Sequence, residues 1–199
     1  MNEECAGGLS RRQLIAGALT AGGAALLAAQ PAHAATETND VALLTPALQA
    51  EQLTALAARH VLGLSGLTAH GRRTVRVVLE HARAHVRALE RQIEALGGTP
   101  PSAPSAVAAV GQTLSKHGMS ASFAGHPTAK QGIQILQDLQ AVCEGALYHA
   151  LSRLKSTPAL VLSLQILASD AQHSALFAMV AYGEDPTLAI PNWYVAGVR

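Results

Sequence analysis

Between residues 75 and 96, eight apolar residues recur at three- and four-residue intervals: Val75, Val78, Leu79, Ala82, Val86, Leu89, Ile93 and Leu96. A stripe that keeps this period over about six turns fixes one face of a helix, and that face must be covered by other helices. The segment spans about 71–96 and is closed by Gly97-Gly98, with Pro100 beyond. Three further segments share the pattern. The first is entered at Thr45, with Pro46 as its first helical residue, runs to Gly63, and carries Leu44, Ala47, Leu48, Ala55, Ala58 and Leu62 on its stripe. The third is entered at Thr128 and carries Leu136, Leu139, Cys143, Leu147, Ala150 and Leu154. The fourth starts at Thr157-Pro158 and ends at Gly183.

The connections are short, long, short. Residues 97–127, rich in Pro, Ser, Ala and Gly, form the long one, and a short helix over 106–116 fits inside it. This is the connectivity of an all-α four-helix bundle with a long crossover between helices 2 and 3, because an up-and-down bundle would need only short loops. The bundle spans 45–183, preceded by a linker over 35–44 and followed by an irregular tail over 184–199 that includes Trp193-Tyr194.

Composition agrees with helices. Of 199 residues, 49% are apolar and only 3% aromatic, so Ala, Leu and Val supply the hydrophobicity, with a mean hydropathy of +0.22. Lys plus Arg number 14 against 13 Asp plus Glu. That balance excludes a nucleic-acid partner held by bulk charge, and the aromatics are too few for a stacking platform. The chain has no hydrolase triad, Gly-rich phosphate loop or Cys-pair zinc motif.

Part of the apolar excess belongs to the first 34 residues. A polar start leads to Ser10-Arg11-Arg12-Gln13-Leu14-Ile15, then an Ala/Gly/Leu run, then Ala32-His33-Ala34. The paired arginines resemble a twin-arginine (Tat) export signal, with Leu14 where that signal prefers Phe. The run over 14–29 is shorter than the roughly 18–20 apolar residues of a spanning helix, so no stable membrane span is expected once the signal is removed. The expected location is the periplasm, the cell envelope or the exterior. Removal takes Arg11, Arg12, Glu3 and Glu4 together and leaves the net charge unchanged. Cys5 leaves as well, so Cys143 stays without a disulfide partner and reads as a small core hydrophobe.

A charge buried without a partner costs several kcal/mol, so ionisable residues on the apolar stripes need a reason. Glu51 lies among Ala47, Leu48, Ala55 and Ala58; Asp170 and His173, spaced i, i+3, lie among Ile166, Leu167 and Phe177; His85 lies between Ala82 and Leu89. Glu80, by contrast, is on the outer face beside Arg76 and Arg83. Arg72, Arg73, Arg76, Arg83, Arg87 and Arg91 share that face with Glu90 and Glu94, a solvated mixture. His60, His70, His81, His117, His126 and His149 read as solvated, and a homo-oligomer would have to form through such outer helix faces.

Carboxylates and imidazoles on inward faces are metal-ligand types. Together with Ala82-Arg83-Ala84-His85-Val86, Leu96-Gly97-Gly98-Thr99-Pro100 and Gln172-His173-Ser174-Ala175-Leu176, they make the chain resemble the exported ferritin-like domain proteins of bacteria. That resemblance implies two metal ions held by one Glu, Glu-x-x-His, one Glu and Glu-x-x-His on successive helices. Position by position, Glu51, His85 and His173 match, and Asp170 replaces a Glu. The second-helix Glu falls on Ala82 and the third-helix Glu on Gln140; Glu144, at the edge of the third stripe, substitutes only if it turns inward.

Two readings follow. In one, Glu51, His85, Asp170 and His173, with Glu144 in reserve, hold a single ion, for which the resemblance implies iron or manganese and a redox role in oxidative stress. In the other the bundle is metal-free, a structural or interaction scaffold in which Glu51 pairs with His85 and Asp170 with His173. No reaction is assigned by the sequence.

Overall fold

A computed structural model describes residues 34–124 and 126–182. The tail and all but the last residue of the export segment lie outside them. Among the described residues there are five helices and no strand: α1 Ala34–Leu62, α2 Ala69–Ala95, α3 Ala108–Lys116, α4 Ala129–Leu151 and α5 Thr157–Tyr182.

Local chemistry sets most boundaries. Thr68 caps α2 by accepting from Gly71 N at 3.0 Å. At the other end Gly97 takes φ +76°, its N–H reaches Glu94 O, and Gly98 N reaches Ile93 O at 2.9 Å, a glycine-based stop that satisfies the last carbonyls. Thr128 and Gln131 form a reciprocal capping box on α4. These agree with the expected segments within two or three residues.

The start of α1 does not. It begins at Ala34, so the expected linker over 35–44 is helical and Pro46 is interior. Thr45 is no N-cap; its Oγ1 donates back to Val41 O at 2.8 Å. An interior proline costs about 3 kcal/mol in an exposed helix. Here the preceding turn is held by tertiary contacts, with Asp40, Leu43 and Leu44 all buried. Their burial outweighs the local stop.

Helix α1 packs on α2 and α4, and α5 packs on α4 and α2, while α3 touches α1 and α4. Neighbours run antiparallel, as Glu51–His85, Cys143–Glu51 and His81–His173 contacts show when set beside Arg72–Leu62, Gly132–Val61 and Gly71–Val180 nearer the ends. The connection 96–128 starts with Gly98 against Val41 and delivers Gly132 against Val61 and Leu64 at the opposite end. Gln52 Nε2 ties this strap to α1 by donating to Pro101 O at 3.0 Å.

The apolar core is divided in two. One part gathers Leu53, Val61, Val75, Val78, Leu136, Leu139 and Phe177; the other gathers Leu44, Leu48, Leu89, Ile93, Leu147 and Ile166. Glu51, His85 and Asp170, from three of the long helices, contact one another, and α4 contributes the buried Gln140 and Cys143, the latter against Glu51. The functional question is what that polar layer does.

Candidate metal centre

Glu51 enters the layer from α1, 1% exposed, because it occupies a core position between Leu48 and Leu53. His85, on α2, is 14% exposed and donates from Nδ1 to Glu51 Oε1 at 2.7 Å. From α5 come Asp170, fully buried, and His173, one helical turn on. Asp170 Oδ1 lies 3.7 Å from His85 Nδ1 and 3.5 Å from His173 Nδ1. The four residues expected from the sequence therefore form a chain of neighbours, Glu51 to His85 to Asp170 to His173.

Two more residues join them. Cys143 Sγ, on α4, lies 3.7 Å from Glu51 Oε1, and one donor atom from each of Glu51, Cys143 and Asp170 fits within a mutual 4.8 Å. His81 Nδ1 lies 2.8 Å from His173 Nε2. Its ring is largely exposed, as expected, but its inner edge is engaged, so the reading of His81 as a purely solvated residue is corrected. Cys143 is fully buried in the second apolar cluster, as expected of a core residue, and its Sγ also faces Glu51. Periodicity placed Cys143 on the stripe; the i−4 spacing of His81 from His85 was the available signal for the other.

Several polar atoms in the layer have no hydrogen-bond partner: both carboxylate oxygens of Asp170, His173 Nδ1 and Gln140 Nε2. His173 Nδ1 faces Asp170 as an N–H when His81 supplies the proton of their shared contact, and as a lone pair when His173 does; in the second case the two buried acceptors call for a cation between them.

Burial, then the charge of Asp170, pushes the Glu51 carboxyl up to about 7 against the opposing hydrogen bond from His85. Burial opposes protonation of His85, but the hydrogen bond and charge of Glu51, with Asp170 behind, win and raise it. His81 is lowered by burial and by His173 and His85 beside it. The Cys143 thiol is pushed well up by burial, then by the Glu51 and Asp170 charges.

Glu51, Cys143 and Asp170 form a buried group whose donor atoms could hold a metal ion, and its two carboxylates balance the charge of one divalent cation. Ala82, buried in the same layer, offers nothing, and Gln140 offers only a neutral amide. Glu144 is buried one turn beyond Gln140 and accepts at Oε1 from Ser174 Oγ at 2.7 Å.

An all-helical protein with a carboxylate–imidazole–thiol layer at mid-length of its helices is thereby defined. A model of the ferritin-like domain family matches residues 39–183, and the chain belongs to that family. Comparison with curated proteins and with solved structures found no match.

Proposed function

We propose that this is an exported ferritin-like protein, a four-helix bundle with a long crossover between α2 and α4, that binds a single transition-metal ion. Iron or manganese, with a redox role in oxidative stress, is the finer reading. Glu51, His85, Asp170 and His173 would hold the ion. The ion, when bound, supplies one-electron chemistry. The chain's part is to orient the donors and exclude water with the two apolar clusters around them. The observation that carries the reading is Asp170, fully buried with both carboxylate oxygens lacking a hydrogen bond, against two imidazole nitrogens. Export rests on the Ser10-Arg11-Arg12 start and the Ala32-His33-Ala34 end of the leading segment.

A specific observation favours the metal-free scaffold as second reading: the 2.7 Å bond between Glu51 and His85 satisfies both without an ion. Elemental analysis of protein purified from its own compartment separates the two. About one equivalent of transition metal, lost in a His85→Ala/His173→Ala variant, is expected; metal at background, with no thermal shift on adding metal, sinks the proposal.

A further inference from the structure

Distances sort the donors of the central layer into two kinds. The Glu51–His85 separation of 2.7 Å is a hydrogen bond. Asp170 to His173 at 3.5 Å is too long for a good N–H···O bond, and Cys143 Sγ to Glu51 Oε1 at 3.7 Å is a weak S–H···O contact. The latter is the right length for donors sharing an ion: bonds of about 2.0–2.2 Å to oxygen or nitrogen and about 2.3 Å to sulfur give tetrahedral edges of about 3.3–3.7 Å. Three donors from three helices, Glu51 from α1, Cys143 from α4 and Asp170 from α5, lie within 4.8 Å of one another. Asp170, fully buried with both carboxylate oxygens lacking a hydrogen bond, is the side chain that Cys143 and Glu51 face.

Resting on the reading of a metal centre, we propose a different ligand set from the four residues above: Cys143 is a ligand, the ion sits among Glu51, Cys143 and Asp170, and His85 is a positioning residue holding Glu51. The centre is then a mononuclear oxygen and sulfur site. A thiolate selects borderline divalent ions of the zinc, cobalt and iron(II) class over manganese, which favours carboxylate and water oxygen. Three anionic donors on a divalent ion leave one negative charge in the core. His85, 2.7 Å from Glu51 and 3.7 Å from Asp170, is placed to offset it. Ala82 and Gln140, where the two-ion pattern needs carboxylates, fit this smaller centre, since further acidic groups would add uncompensated charge.

The test is cobalt(II) titration of the metal-free full-length protein, followed by absorption. The expected result is a thiolate-to-cobalt charge-transfer band in the near ultraviolet that saturates at one equivalent, alongside visible ligand-field bands. The chain has one other thiol, Cys5. The band should survive Cys5→Ser and vanish in Cys143→Ser, with circular dichroism checking the fold. His85→Gln should keep the band while weakening cobalt binding about 10- to 100-fold, the usual cost of a lost outer partner. Zinc should displace cobalt, and a tenfold excess of manganese should not. Cobalt bound without the band, or a band that disappears in Cys5→Ser, removes Cys143 as a ligand and leaves the metal centre standing. Displacement by manganese as readily as by zinc overturns the cation class. A wild-type protein that binds no cobalt removes this inference and the metal centre together. Should Cys143→Ser fail to fold, the Cys5→Ser spectrum alone decides the assignment.

Discussion

His81 Nδ1 on α2 lies 2.8 Å from His173 Nε2 on α5, so a buried imidazole is held by one whose outer edge meets solvent. The bond fixes which nitrogen of His173 faces Asp170. His81→Ala is therefore expected to cost the metal-free fold no more than about 1 kcal/mol, the worth of an ordinary partly exposed hydrogen bond. Metal affinity should fall about 10- to 100-fold. Denaturant melts of the metal-free variant beside metal titrations check both, and equal losses in the two would refute the positioning role.

Asp170→Asn separates the cost of the centre from its purpose. In the metal-free protein the substitution removes a buried carboxylate whose oxygens have no hydrogen bond, so thermal stability should hold or rise. Added metal should stabilise wild type, by about 2.7 kcal/mol at a hundredfold excess over Kd, and leave the variant unmoved. Calorimetry with and without metal reads the difference.

The pH dependence of the metal-free protein follows from Glu51 and His85. Glu51 is raised to about 7 in the fold, from 4.5, by burial and by Asp170, and His85 is also raised, by Glu51 against the effect of burial. Both groups thus bind more protons folded than unfolded. Their contribution is full below about pH 4.5 for Glu51 and below about 6.5 for His85 and is lost as pH rises through each folded value. His81, lowered by burial and its histidine neighbours, acts with opposite sign and weakly because it is exposed. Urea midpoints between pH 4.5 and 8 should decline, and Glu51→Gln should flatten the decline.

Asp40 joins segments far apart in the chain. Its carboxylate accepts from Lys155 N at 3.0 Å and Ser156 N at 2.6 Å, just before α5. Asp40→Ala would leave these donors unsatisfied at a helix start and should destabilise by about 2–3 kcal/mol. Asp40→Asn, which keeps an acceptor, should cost less in the same chemical melt.

Gly98 is needed for space. A Cβ there would stand 2.7 and 2.8 Å from the Val41 methyl carbons. Gly98→Ala should cost about 1–3 kcal/mol through overpacking. Val41→Ala in the same chain should recover part of it, and full additivity of the two losses would argue against the clash.

Much of this molecule was legible in its sequence. Thr128 entering α4, Gly97-Gly98 closing α2 and the short helix in the crossover are local matters of capping and period, which the residues specify themselves. Glu51, His85, Asp170 and His173 could be picked out because a titratable residue on an apolar stripe is conspicuous, and each contacts the next in the fold. The start of α1 was not legible. Pro46 is a local stop signal, and the burial of Asp40, Leu43 and Leu44 that overrides it depends on other helices.

The same distinction runs through the centre. Sequence by itself determined which residues lie on which stripe, and so the absence of carboxylates at 82 and 140, where a two-ion pattern needs them. Only tertiary structure decided that Cys143 comes within 3.7 Å of Glu51 and that His81 reaches across to His173. Helical period fixes a side chain's angle about its own axis. The axial register and rotation of one helix against the next are set by how their side chains interlock, and a shift of one residue along α4 or α2 would move Cys143 or His81 out of reach.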